Sequence, residues 1–275
     1  MNTTIPNFLL LSYPMINVVV LIYQALLFLH VPSALGFSII ILTIVIRLIL
    51  YPLTAAQLKA AAKMQKIAPH LNKLKDKYKG DSAKIQQETL RLYKEYGINP
   101  AAGCLPILIQ LPLIYALYQV LNDVVKYNTM QINHVLYSFI PKLSRSWELA
   151  FFGLPLASTP SKLMPSVGPL ILLIPVLTGA SQFFLSKMMI PAKTAVEVLE
   201  KDIEKNAPVD KNDAEDFASA FQTQSLFIFP LMIGFFSFSF PIGISLYWNT
   251  FTIFGIIQQY KIMGLGGLST WIKKK

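Results

Sequence analysis

The chain has 275 residues, of which 54% are hydrophobic and only 14% charged, with a mean hydropathy of +0.51. A soluble domain carries about a quarter charged residues, so the composition excludes an ordinary water-soluble enzyme and places the chain in a membrane. The 24 Lys and Arg against 14 Asp and Glu give a net +10, which in a membrane chain becomes a question of where the positive charge sits. A single cysteine, Cys104, excludes an internal disulfide, and His30, His70 and His134 lack ligand spacing, so no metal centre is expected.

Residues 1–46 carry no charge at all. The apolar stretch from Phe8 to His30 is bracketed by Pro14 and Asn17 on one side and His30-Val31-Pro32-Ser33 on the other. It lacks the basic start of a secretory signal and is short for a span, so 1–33 is read as an external N-terminus with an interfacial helix. Charge gaps of about 20 residues, enough to cross ~30 Å of hydrocarbon, mark the spans. The spans read from them are 34–54, where Arg47 is the one charge, 100–122, 166–187, 223–239 and 243–262, with Phe240-Pro241-Ile242-Gly243 as a tight turn between the last two.

Between the first two spans, segment 55–99 holds ten Lys or Arg residues. Met64, Ile67, Leu71, Leu74 and Tyr78 step by three and four, as do Ile85, Thr89, Leu92 and Tyr96 after Gly80-Asp81. This predicts a helical hairpin with a narrow apolar seam and a basic exterior, with Asp81 capping its second helix and Pro69 kinking its first. Two readings of that exterior stand: a solvated charged face, or a docking surface for lipid head groups, ribosomal RNA or a nascent chain's carrier, formed by Lys63, Lys66, Lys73, Lys75 and Lys77. The loop 123–165 has four basic residues, and 188–222 has more acids than bases and reads as a short helix with a linker. The positive-inside rule puts 55–99, 188–222 and the 263–275 tail in the cytoplasm, with the N-terminus and 123–165 outside.

Arg47 is set apart. It lies within Ser38-Ile-Ile-Ile-Leu-Thr-Ile-Val-Ile-Arg47-Leu-Ile-Leu-Tyr-Pro52, and every Asp and Glu lies outside the proposed spans. An arginine at a helix centre costs ~2.5–3.5 kcal/mol even on the mildest scale. Either the helix ends near Tyr51-Pro52 and the side chain reaches the inner interface, or a hydrated cavity opens to the cytoplasm around it. Thr43 stands one turn away on the same face and Gln110 at similar depth in the second span. Tyr247, Trp248 and Asn249 offer a polar-aromatic wall, although such residues also serve as plain interface anchors. Prolines 106, 112, 169, 175 and 230 imply bent helices.

Several motifs in order carry a specific likeness over about residues 14–262. They are Gly36 to Thr54 around Arg47, Lys63-Met64, Asn99-Pro100, Gly103-Cys104 through Gln110-Leu-Pro112, Phe240-Pro241-Ile-Gly243, Leu246-Tyr247-Trp248 and Ile257-Gln258-Gln259. Together they resemble the YidC/Oxa/Alb family of membrane protein insertases. The resemblance implies an all-α polytopic fold of five transmembrane helices around a hydrophilic groove, open to the cytoplasm and to lipid, with a cytoplasmic hairpin. It places the groove arginine on Arg47, the threonine on Thr43, the glutamine on Gln110 and the aromatic on Trp248, often Tyr in relatives and here an indole N–H donor. It also matches 14–29 to an interfacial helix. A short form without a large external domain, a long basic C-terminal extension or a transit peptide is expected, at home in a bacterial plasma membrane.

The implied activity is moving nascent hydrophobic segments from the cytoplasm into the bilayer, alone or beside the Sec translocon. Nascent membrane proteins, the ribosome and membrane lipids would be its partners, with no cofactor and no enzymatic step. Two alternatives remain: a small-solute transporter or channel, disfavoured because the spans hold no carboxylate, and an assembly factor that shields partner helices without inserting them. No GxSxG, HExxH or P-loop is present, so an enzyme is not expected.

Overall fold

A computed structural model describes residues 12–97, 111–112, 114–116, 118–120, 129–144, 146–190 and 224–272. Within the helix 51–77, the side chains at 61, 64–66, 68, 69, 72, 75 and 76 are outside that description. The described residues are mostly helical: α1 (Ser12–Phe28), α2 (Ala34–Ile49), α3 (Tyr51–Lys77), α4 (Ser82–Glu95), α5 (Thr129–Val135), α6 (Pro160–Val167), α7 (Leu173–Met189), α8 (Phe229–Ser239), α9 (Ile242–Met263) and α10 (Ser269–Ile272). A 3-10 turn, Pro169–Leu172, leads into α7, and a π turn, Gln224–Ile228, leads into α8. Among the described residues one helical run, Pro169–Met189, is by itself long and apolar enough to cross a membrane. Ala34–Ile49 and Tyr51–Ala60 meet that test as a pair.

They fall into two compact units, one drawn from 1–49, 107–181 and 232–254, the other from 50–106, 182–231 and 255–275. In the first, α1 packs along α2 and buries Val19, Val20 and Tyr23 with Leu35, Ile39 and Leu42. Buried Asn17 ties α1 to the end of α5 and the residues just after it, its amide donating to the Tyr13 and Val135 carbonyls at 2.8 and 3.0 Å while accepting from the Tyr137 N–H at 2.6 Å. Thus the apolar N-terminal helix contributes to this unit's core, and a buried amide that meets backbone groups on both sides carries little desolvation cost.

Two strands, β1 (Ala150–Phe151) and β2 (Leu154–Pro155), form an antiparallel hairpin, pairing Ala150 with Pro155 and Phe151 with Leu154. The all-helical expectation did not include it. Its two turn residues, Phe152 and Gly153, both have positive φ, +48° and +83°, as a tight two-residue hairpin requires. Phe151 packs where Gly36 leaves room, since a Cβ at Gly36 would collide with its ring.

The second unit starts at Leu50, where the chain begins the new helix α3, because Pro52 lacks an N–H and disfavours an uninterrupted helix through its own position. Pro52 stands instead in the first turn of α3, where the missing donor costs nothing, and the Thr54 hydroxyl donates to the Leu50 carbonyl at 2.9 Å. The helix then runs through Pro69 to Lys77. Helix α4 starts at an Asp81 cap, whose carboxylate accepts from the Lys84 N–H at 3.0 Å. Ile67 is buried, Leu71, Leu74, Ile85 and Leu92 are half-buried, and Lys59, Lys63, Lys73, Lys77, Lys79, Lys84, Arg91 and Lys94 are all exposed.

Candidate functional site

Arg47 is only 6% exposed. Helix α2 ends two residues later, at Ile49, as one of the two sequence readings held, yet the side chain does not run out to the surface. Its Nη2 donates to the Phe251 carbonyl at 2.6 Å, and the guanidinium carbon lies 3.4 Å from the centroid of the Phe251 ring. A flat, weakly hydrated cation suits such a face. The carbonyl and the ring together hold the guanidinium in place.

One turn before it, Thr43 is fully buried and its hydroxyl donates to the Ile39 carbonyl at 2.6 Å. Its donor is thus used within its own helix, leaving the oxygen as an acceptor. Tyr247 is buried and stacks on Phe251 with centroids 5.8 Å apart. Thr43, Arg47, Tyr247 and Phe251 therefore form one cluster between α2 and α9.

Trp248 belongs elsewhere. Successive helix residues point about 100° apart, so it cannot share Tyr247's face, and it lines a cavity of about 10 Å³ with Thr178, Ile233, Ser237, Phe240, Ile244 and Ser245. Beside this cavity the Asn249 amide donates to Thr178 Oγ1 at 2.7 Å and accepts from the Ser181 hydroxyl at 3.1 Å. The Ser237 hydroxyl lies 2.8 Å from that of Ser245 and donates to Thr178 at 3.3 Å. Gly234 permits the approach of α8 to α7, since a Cβ there would press on the Pro175 carbonyl. The result is a small hydroxyl and amide cluster joining α7, α8 and α9, with space for about one water.

Of the residues singled out from sequence, Gln110 lies outside the described residues. Lys63, Lys73 and Lys77 are exposed on α3, while the side chains of Lys66 and Lys75 fall outside the description. Sequence reasoning missed Phe251, which contributes a carbonyl and a ring rather than a polar side chain. It also missed Thr178, Ser181, Ser237 and Ser245, whose signal was available as small polar residues at helical spacing inside apolar runs. Among the described residues no group of three or more His, Cys, Asp or Glu is placed to hold a metal ion.

Set beside known proteins, the chain matches the family model described as 60Kd inner membrane protein over residues 26–266. It is 36% identical over 249 residues to inner membrane protein ALBINO3 of the Arabidopsis thaliana chloroplast, covering 86% of this chain and 48% of that one. It is 34% identical over 231 residues to membrane protein insertase YidC of Fusobacterium nucleatum, covering 84% and 87% respectively. The fold is similar to that of an active YidC insertase whose crystal structure has its first transmembrane domain resolved. That likeness has a TM-score of 0.54 at 24% identity and covers 92% of this chain and 46% of that one. The chain spans about half the length of the chloroplast relatives it matches.

Proposed function

The chain belongs to the 60Kd inner membrane protein family, the YidC/Oxa/Alb family, and from that premise we propose that it is a membrane protein insertase. In this reading five helices span the membrane at about 34–54, 100–122, 166–187, 223–239 and 243–262, with the N-terminus outside and the C-terminus in the cytoplasm of a bacterial plasma membrane. The excess of Lys and Arg in 55–99 supports that orientation. A nascent segment meets the basic hairpin α3–α4, its polar or acidic flank enters a hydrophilic groove beside Arg47, and its apolar stretch moves sideways into lipid. Arg47, Thr43, Gln110 and Tyr247 are the groove residues of this reading, with Trp248 joining the groove wall from the neighbouring face of α9, beside the hydroxyl and amide cluster; the nascent chain, the ribosome, the Sec translocon and lipid are its partners.

The observation that carries it is the buried guanidinium of Arg47, held at a defined place by the Phe251 carbonyl and ring. Such a fixed charge offers an acidic residue a temporary partner and offsets part of the cost of taking a carboxylate out of water. Hydrocarbon burial at ~25 cal/mol per Å² then draws the apolar stretch onward. Neither a covalent step nor a cofactor is needed.

Liposomes containing the purified chain test this directly. Protease protection of a labelled single-span substrate is the expected outcome. Solute flux without insertion would mark a transporter or channel, and neither of the two would mark an assembly factor.

A further inference from the structure

The hairpin β1–β2 lies in a segment that the charge pattern places outside the membrane, yet its tip has the chemistry of a membrane contact. Position 152 adopts a left-handed backbone, φ +48°, where Gly, Asn or Asp are the natural occupants and a bulky side chain is an outlier. The residue there is nonetheless a phenylalanine, and it is 69% exposed. Packing against Phe37 and Phe151 covers only part of the ring and leaves most of the side chain open.

The hairpin's surroundings fix its depth. The Phe152 N–H donates to the Ser33 hydroxyl at 2.9 Å, immediately before α2 begins, and Phe37 meets the rings of Phe151 and Phe152 edge-on at 5.4 and 6.1 Å. Just beyond the hairpin, the Ile242 and Gly243 N–H groups donate to the Ser158 and Leu156 carbonyls at 2.9 and 2.8 Å, at the first turn of α9. The tip is thus held level with the starts of α2 and α9, the ends that the topology above puts at the outer membrane face. An exposed phenylalanine at that level can bury its ring at the boundary between head groups and acyl chains, as apolar side chains of interfacial segments do.

From this we infer that the hairpin is a lipid anchor, with Phe152 seated in the head-group region of the outer leaflet. Through Phe151 against Gly36 it also pins the outer end of α2, the helix that carries Arg47 about 16 Å further along. The inference rests on the membrane orientation proposed above, and the occupant is lipid rather than a protein partner.

Nitroxide labels in a Cys104→Ser background, in vesicles of phosphatidylethanolamine and phosphatidylglycerol, test it. A label at Phe152→Cys is compared with one at Leu177→Cys, exposed on α7, and one at Lys142→Cys, exposed on the external segment. Expected is an oxygen-to-nickel-chelate collision ratio at 152 several-fold above that at 142 and approaching that at 177. A ratio at 152 equal to that at 142, with 177 still shielded from nickel, overturns the anchor alone. Nickel access at 177 as well overturns the placement of α7 in the membrane and the anchor with it. Phe152→Trp keeps an aromatic ring and adds a second reading: its extra fluorescence is quenched by lipids brominated near the head group if the anchor is right, and is unaffected if it is wrong.

Discussion

Arg47 and Lys187 are both buried cations, 6% and 2% exposed, and each lies over an aromatic ring. The Arg47 guanidinium carbon is 3.4 Å from the Phe251 centroid, and Lys187 Nζ is 3.7 Å from that of Trp271. Their positions differ in consequence. Lys187 stands in the last turn of α7, where the exposed carbonyls of a helix end favour a positive charge and a flexible ammonium is readily accommodated. Arg47 also lies near its helix end, but its planar head is fixed by a backbone carbonyl of another helix as well as by a ring. Similar burial over a ring thus serves two purposes: it secures the C-terminal segment around Lys187, and it presents a charge at a defined place around Arg47.

The sharpest way to break this contrast is to remove each cation in turn. Arg47→Ala should lower insertion of substrates with acidic translocated flanks about tenfold or more, the size of a charged hydrogen bond lost, with little change for neutral flanks. Arg47→Lys should keep most of the activity and Lys187→Ala nearly all of it. Equal loss for acidic and neutral flanks in Arg47→Ala would sink the electrostatic part of the mechanism.

Next in size is Gly36→Ala. The added methyl group meets the Phe151 ring, so either the β-hairpin moves off α2 or the helix yields, at roughly 1–3 kcal/mol for an overpacked contact. Thermal unfolding in detergent should show a lower midpoint. A midpoint at or above that of the parent chain would mean that the hairpin is not seated on α2 as described.

How much of this was legible in the sequence depended on whether a residue announces its own role. Asp81 before α4, Pro52 at the α2–α3 break and Phe240-Pro241 between α8 and α9 act through their own backbone or side chain, and their effects could be read from type and spacing. The charge of Arg47 in an apolar run was equally plain. Its partner was not, because Phe251 offers a carbonyl, which every residue has, and a ring, which is ordinary in a span. The Thr178, Ser237, Ser245 and Asn249 cluster was hidden because each member is unremarkable in its own helix and gains meaning only where three helices meet. Four paired residues are too few to show strand alternation, so the hairpin left no period to read, and Phe152 is the opposite of what its turn position asks for.

The clamp on Arg47 can be sharpened by dividing its two parts. Phe251→Leu keeps the carbonyl and removes the ring, so the loss should be about 1–2 kcal/mol, the range for a desolvated cation–π contact. Insertion of acidic substrates should fall less than in Arg47→Ala. A fall as large as that of Arg47→Ala would assign the positioning of the guanidinium to the ring rather than to the carbonyl.

The smallest effect belongs to the other cation. Gln259 donates to the Met188 carbonyl at 3.1 Å, and Phe183 faces the Trp271 ring at 6.2 Å, so Trp271 is one of several contacts that hold the C-terminal segment near the end of α7. Trp271→Leu removes the ring from beneath Lys187 but retains apolar bulk beside Phe183. About 0.5–1 kcal/mol should be lost, as for a contact open to water on one side. Because α10 is only four residues long, that loss should appear locally, as faster amide exchange over 264–272, with the unfolding midpoint of the whole chain unchanged. A shift of the global midpoint would show instead that the Lys187 contact, like that of Arg47, is built into the stability of the fold, and the distinction between the two cations would fall.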